Sequence, residues 1–216
     1  MIKIEHTEVA GWEAAIRGMR NPMNSWDKSD SGYEGLDYAV GHNDHDLMMR
    51  LAQGGSVHAK YRRMIIVWVD ITAPLYWWKE FDTYKVGTVA NSCSTMHKIH
   101  AKPFTVDDFS TEHLNPQSDG YLISQIDWLN RCRDKFLNDH DKADWWQMIQ
   151  LLPTSYNQKR TVMMSYEVLV NMYRDRKSHK LDEWHTLCDW IRQLPYSEII
   201  TGVVDDTLND TTVTCQ

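Results

Sequence analysis

Residues 63–84 read RMIIVWVDITAPLYWWKEFDTY, and their reading decides the fold. From Arg63 to Thr72 the run is β-branched and apolar, the pattern of a strand. Pro74 closes it, since proline has no N–H for a ladder bond, and its fixed φ suits the first turn of a helix. Residues 75–84 are therefore expected to be helical, carrying Trp77 and Trp78 as an adjacent pair. A strand that hands over to a helix is the building step of an α/β domain.

Toward the N-terminus, Ile2 and Ile4 alternate with Lys3 and Glu5, which predicts a short strand over 1–8. Residues 9–19 predict a helix ended by Asn21-Pro22. The stretch 22–43 is rich in Gly, Ser, Asp and Asn and reads as a long surface loop. A helix is expected at about 44–53, with Asp44 as its N-cap and Gly54-Gly55 as its end. Toward the C-terminus, helices are expected over 118–139, 142–152, 156–178 and 181–194. In the first, Leu122, Ile126, Leu129 and Phe136 share a face; in the third, Val162, Tyr166, Leu169 and Tyr173 do. The expected organisation is a single α/β domain over 1–204, mostly helical in mass, with a polar, frayed tail over 205–216.

Composition narrows the function classes. The 216 residues are 42% hydrophobic and 25% charged, as in a soluble globular protein. No apolar run is long enough to span a membrane, and MIKIEHTEV lacks the apolar stretch of a signal peptide. A net charge of -7 argues against non-specific binding to DNA, RNA or an anionic membrane. Cys93, Cys132, Cys188 and Cys215 form no CxxC pair, so reduced thiols in a cytoplasm are expected rather than a disulfide framework or zinc ribbon. The ten tryptophans can fill a core or stack on flat ligands, and core packing is the commoner use.

Four polar patches are candidates for chemistry. After the Trp77–Trp78 helix, VGTVANSCST offers Asn91, Ser92, Cys93, Ser94 and Thr95, with Lys85 just before it; backbone N–H groups and hydroxyls of such a segment can face a phosphate or a polar ring, or bond to one another in a plain loop. His42-Asn43-Asp44-His45-Asp46 has the residue types of a metal cluster, but the segment reads as a loop opening a helix. His58, Lys60, Arg62 and Arg63 form the most basic short stretch, suited to phosphates or to a solvated turn. Arg174, Arg176, His179, Glu183 and Arg192 fall on two successive helices, with His179 and Glu183 spaced to share a face or to form ordinary surface ion pairs. No G-x-S-x-G, P-loop, G-x-G-x-x-G or H-E-x-x-H sequence occurs.

Three of these patches, in this order, resemble the flavin-dependent thymidylate synthases, also called thymidylate synthase complementing proteins, over roughly residues 46–193. That family has a histidine-led segment before a strand ending in Ala-Pro; here His58 leads and Ala73-Pro74 ends the strand. Its aromatic helix then runs into Arg-His-Arg-x-x-Ser-x-Asn-Glu-x-Ser-x-Arg; here YKVGTVANSCSTM holds that place, with Asn91 and Ser94 matching. Its later Leu-Pro, Asn-aromatic step, Arg, His and Glu correspond to Leu152-Pro153, Asn171, Arg176, His179 and Glu183, and Arg192 suits the last substrate-side arginine. The chain departs from the pattern at Tyr84-Lys85-Val86 in place of Arg-His-Arg, Asn91-Ser92 in place of Asn-Glu, Arg63-Met64 in place of Glu-His, Met96 in place of the final Arg, and near Glu167, where an arginine is expected.

The resemblance implies the fold of that family, a central mixed sheet flanked by long helices, assembled as a homotetramer. It implies FAD as cofactor, with NADPH as reductant and methylenetetrahydrofolate as one-carbon donor, and one-carbon transfer to dUMP or a related pyrimidine deoxynucleotide. Residue by residue, it implies catalytic roles for Ser94 and Arg192, cofactor contacts from His58, Lys60, Asn171 and Arg176, and substrate contacts from Glu80, Tyr84, Lys85, Asn91, Ser92 and Ser94, with no metal. Lys85 would replace a lost arginine as a point charge. The departures keep open a second expectation: a non-catalytic nucleotide-binding or regulatory protein on the same scaffold, of phage or mobile-element origin.

Overall fold

In the computed structural model, which describes residues 2–202, the chain begins with strand β1 (Lys3–Ala10) and helix α1 (Trp12–Arg20). A hairpin of β2 (Gly32–Glu34) and β3 (Asp37–Ala39) precedes α2 (His42–Gln53). Strand β4 (Ile66–Pro74) runs straight into α3 (Leu75–Phe81), and β5 (Thr88–Ser92) follows. Then come α4 (Pro116–Asp139), α5 (Lys142–Leu151), β6 (Asn157–Ser165), α6 (Tyr166–Arg176), α7 (Asp182–Arg192) and α8 (Glu198–Thr201). The expected polar tail over 205–216, with Cys215, lies outside the described residues.

Strands β1, β4, β6 and β5 form a four-stranded sheet in that order, which puts β5 at an edge. The described residues cluster into two units, 2–5, 70–83 and 90–161 forming the first and 6–69, 84–89 and 162–202 the second. In the first unit, Trp77, Trp78 and Phe81 of α3 are buried and meet edge to face or tilted at 4.9–5.1 Å. A second apolar cluster joins Ile99, Phe104 and Phe109 to Leu122, Ile126 and Leu129 of α4 and Met148 of α5. The hairpin of α4 and α5 is set by local signals: Pro116 at the first turn, the Asn115 side chain accepting from Ser118 N (2.9 Å), His140 at φ 57, and Asp141 accepting from Ala143 N (2.8 Å).

In the second unit, Trp12 of α1 packs edge to face on Tyr166 (5.4 Å) and Tyr196 (5.1 Å), and the buried Tyr166 hydroxyl donates to Pro195 O (2.7 Å). Gly11 caps α1 at φ 100, where a Cβ would lie 2.1 Å from Met64 O, so any side chain would collide with backbone.

Four expectations are corrected. The stretch 22–43 is not simply loop: β2 and β3 pair antiparallel with Glu34 opposite Asp37, and Gly35 takes φ 68 in the two-residue turn. Asp44 is not the N-cap of α2. It is buried in the first turn, while Asp30 reaches from the preceding segment to accept from Asn43 N (2.9 Å) and Asp44 N (3.1 Å). Residues 157–165 are strand, not helix; Gln158, Val162 and Met164 are buried, so a period of two governs there and the helix starts only at Tyr166. The expected loop 87–95 is largely β5, whose ladder to β6 is continued by Cys93 N donating to Lys159 O (2.9 Å). No helix among the described residues is long and apolar enough to cross a membrane.

Candidate functional site

In the second unit the site is built on α6 and α7. Buried Trp184 sits at the start of α7, and Arg176 at the end of α6 lays its guanidinium 4.7 Å from the Trp184 ring centre. Tyr84 completes the stack: Arg176 Nε donates to its hydroxyl (2.9 Å) and lies 5.5 Å from its ring, and the two aromatic rings meet edge to face at 6.1 Å. Burial raises the Tyr84 pKa, and the bond and charge of Arg176 offset this only in part, so the phenol is neutral at pH 7. Such a cluster holds a planar cation against two aromatic rings that meet at an angle, which fixes the orientation of its fork.

Other expected site residues of this unit stand apart from that stack. Arg192 is ion-paired with Asp189 in its own helix, and its Nε donates to the Tyr173 hydroxyl (3.3 Å). His58 is exposed and packs against Gly54, Lys60 and Lys85 are exposed, and Asn171 is half-buried on α6. His179 and Glu183 do not share a helix face, because the chain leaves α6 at Arg176 and enters α7 at Asp182. His179 lies in the connection, its Nδ1 accepting from Leu181 N (3.2 Å) and its ring 6.2 Å from that of Trp184. The His42–Asp46 segment is partnered pairwise: His42 with Asp46 (3.4 Å), His45 with Glu198 (2.6 Å), and Asp44 with Arg20 (2.6 Å).

In the first unit, Asn91, Ser92 and Ser94 are exposed at the end of β5 and beyond, and Glu80 is half-buried on α3. Ser94 Oγ accepts from His97 N (2.9 Å) and Met96 N (3.3 Å), which closes a tight turn and leaves its own proton to donate. Behind this segment lies a polar group that reading 156–178 as helix concealed. Arg160 stacks on Trp78 at 4.1 Å, pairs with Asp82 (2.7 Å) and donates from Nε to Gln158 Oε1 (3.0 Å). A strand period over 157–165 would have put Gln158 and Arg160 on one face, opposite Lys159 and Thr161, which hold Asp70 instead (2.8 and 2.6 Å).

No family model matches the sequence, and no curated protein matches it. Solved structures do. Thymidylate synthase X of Helicobacter pylori, solved with FAD and dUMP, is similar over 93% of this chain and 97% of its own, at 15% identity and a TM-score of 0.68. A second structure of the flavin-dependent enzyme from Helicobacter pylori, complexed with FAD and dUMP, has a TM-score of 0.66, also at 15% identity, with 93% and 96% covered. The UMP/dUMP methylase PolB of Streptomyces cacaoi, bound with 5-Br dUMP, is similar over 94% of both chains, at 12% identity and a TM-score of 0.61. Whole-length likeness at such low identity is a statement about architecture, and the architecture is that of the flavin-dependent thymidylate synthases.

Proposed function

We propose that this chain is a flavin-dependent, thymidylate synthase-like enzyme that acts on a pyrimidine deoxynucleotide. The observation that carries the reading is the likeness along nearly the whole chain to proteins solved with FAD and dUMP or with a dUMP analogue. The residues present fit FAD in the chemistry of their donors. Lys60 and Lys85 are exposed cations and His58 an exposed ring donor, suited to phosphates, while Arg176 is already fixed against two aromatic rings. When bound, FAD would supply the hydride, with NADPH as its source and methylenetetrahydrofolate as the one-carbon donor.

The chain's own side chains would bind and orient. Tyr84 holds Arg176 in place through the bond from Nε to its hydroxyl. Ser94, its lone pairs taken by its own turn, would donate its proton to an oxygen of the nucleotide. In the first unit, Asn91 and Ser92 would add donors beside it and Glu80 would accept; in the second, Asn171 would contact the cofactor and Arg192 would be catalytic. A cytoplasmic homotetramer is the expected assembly, and its mass in solution tests that part.

A second reading, a nucleotide-binding protein without turnover, is favoured by one observation: Arg160 and Arg192 are already paired with Asp82 and Asp189, and Tyr84-Lys85-Val86 stands where the family has two arginines. The purified protein separates the two. Flavin absorbance on isolation or after adding FAD, with a melting shift on dUMP, supports the enzyme; a dUMP shift from a protein that stays colourless supports the second reading. Neither response would end both. Ser94→Ala should weaken dUMP binding about tenfold, the effect of one hydrogen bond to a charged or polar ligand group, with the fold intact and only a small fall in melting temperature from the exposed turn that its hydroxyl closes. Equal affinity would remove Ser94 from the site.

A further inference from the structure

We propose that Arg160 is a positioning residue that acts through Gln158 to fix the end of β5 and, with it, the Ser94 turn. The geometry is a relay within the first unit. Asp82, at the C-terminal end of α3, takes one Nη1–H of Arg160 at 2.7 Å, and the Trp78 ring lies under the guanidinium at 4.1 Å. With two sides held, Nε–H has one direction left, and it points at Gln158 Oε1 (3.0 Å). Gln158 is 7% exposed and its backbone is also pinned, since Trp78 Nε1 donates to Gln158 O (2.9 Å).

The chemical logic lies in the amide. A glutamine head group can flip, exchanging its acceptor for its donor. Arginine is donor-only, so a fixed Nε–H admits only the orientation with Oε1 toward it. Nε2 is then forced the other way, where it donates to Cys93 O at 2.8 Å. Cys93 N is held in turn by Lys159 O, so both backbone polar groups of Cys93 are fixed from β6. The next residue is Ser94, whose hydroxyl closes the turn over Met96 and His97. The relay Asp82–Arg160–Gln158–Cys93 thus sets the backbone from which Ser94 is presented. Its bearing on dUMP rests on the proposed function; its bearing on the backbone does not.

The test uses the full chain with Cys215→Ser, so that exposed Cys93 is the accessible thiol reporter while Cys132 and Cys188 are buried. Gln158→Glu keeps a partner for Arg160 but turns a carboxylate oxygen toward Cys93 O. Arg160→Met keeps an apolar stack on Trp78 and removes every donor. In both, amide exchange at Cys93, Met96 and His97 and the rate of Cys93 with an aromatic disulfide reagent should rise about fivefold to tenfold, the effect of one buried hydrogen bond. The unfolding midpoint of Gln158→Glu should fall by no more than the loss of one buried hydrogen bond allows, and the faster exchange should be confined to Cys93, Met96 and His97, whereas a merely structural role would spread it over the whole unit. Arg160→Lys, which retains the pair with Asp82 without the planar fork, should fall between. Unchanged exchange and thiol rates in Gln158→Glu overturn the proposal, whether or not Arg160→Met folds. If the parent binds dUMP, both variants should bind it about fivefold more weakly; looser exchange with equal affinity overturns the positioning role. Looser exchange in a chain that binds no dUMP supports the relay and counts against the nucleotide reading alone.

Discussion

Two polar clusters of the second unit, one around Asp44 and one around Arg176, use the same chemistry to opposite ends. Asp44 is fully buried and saturated: Oδ1 accepts from Arg20 Nε (2.6 Å), and Oδ2 from Ser29 Oγ (2.6 Å), Ser31 Oγ (2.7 Å), Asp30 N (3.1 Å) and Ser31 N (3.2 Å). Burial alone would raise its pKa, but the bonds from Ser29, Ser31, Arg20 and Asp30 together hold it below the ordinary value. Arg176, by contrast, is half-buried, stacked on rings, and hydrogen-bonded to a neutral phenol. A charge closed upon by its neighbours ties the chain together. A charge held against aromatic rings keeps a fixed orientation in a site that is only half-closed.

The largest effect expected from this contrast is on the saturated side. Asp44→Ala strands Arg20 in a buried site and should cost about 3–5 kcal/mol, read from urea unfolding; a loss below about 1 kcal/mol would mean the cluster is not a structural tie. In the parent this contribution should be complete above pH 3.8, the ordinary carboxyl value, and fade as pH falls through the lower folded value. Next comes Trp184→Leu, expected to cost about 2–3 kcal/mol, less than full truncation of a buried tryptophan, and to free Arg176 from one plate. Smaller in stability, about 1 kcal/mol or less, is Arg176→Lys, which keeps the charge without the fork. It should nonetheless weaken FAD uptake about tenfold, and equal uptake would show that the stack serves the fold alone.

The smallest effect sharpens the contrast with a third pair. His45 Nε2 and Glu198 Oε1 meet at 2.6 Å and are each about one-quarter exposed. The bond to Glu198 raises the His45 pKa; burial would raise that of Glu198, but the bond and charge from His45 bring it below the ordinary value. The His45 contribution is full below pH 6.5 and lost as pH rises through its raised value, whereas that of Glu198 is full above pH 4.5 and lost on acidification. The pair therefore stabilises most between those two values. His45→Gln should lower stability there by about 0.5–1 kcal/mol and flatten the pH dependence above pH 6.5. An unchanged profile would break the assignment.

The strand-to-helix step at Pro74 and the long helix from Pro116 were legible because each is set locally, by proline, by caps and by runs of one residue class. The segment 157–165 was not. Val162, Tyr166, Leu169 and Tyr173 keep helical spacing across a junction at which the chain changes from strand to helix, so a single period fits two elements. Arg160 was hidden with it. Asp44 departs from its expected capping role because its partners are tertiary: Arg20 lies 24 residues away, and Asp30 takes over the capping that Asp44 looks suited to do. Of the candidate site, Tyr84 and Arg176 were both named from sequence, but their pairing across 92 residues has no sequence signature.

The helical hairpin of α4 and α5 has a kinetic consequence. It lies in the chain between Ser92, where β5 ends, and Asn157, where β6 begins. Its caps, its turn at His140 and its apolar seam are all near neighbours in sequence, so it can form before any long-range pairing does. Once formed, it replaces a long flexible connection with a short rigid one and lowers the entropic cost of closing the sheet edge. Pulse-labelled exchange during refolding should protect the amides of α4 before those of β5. The reverse order would mean that the edge strand assembles without its help.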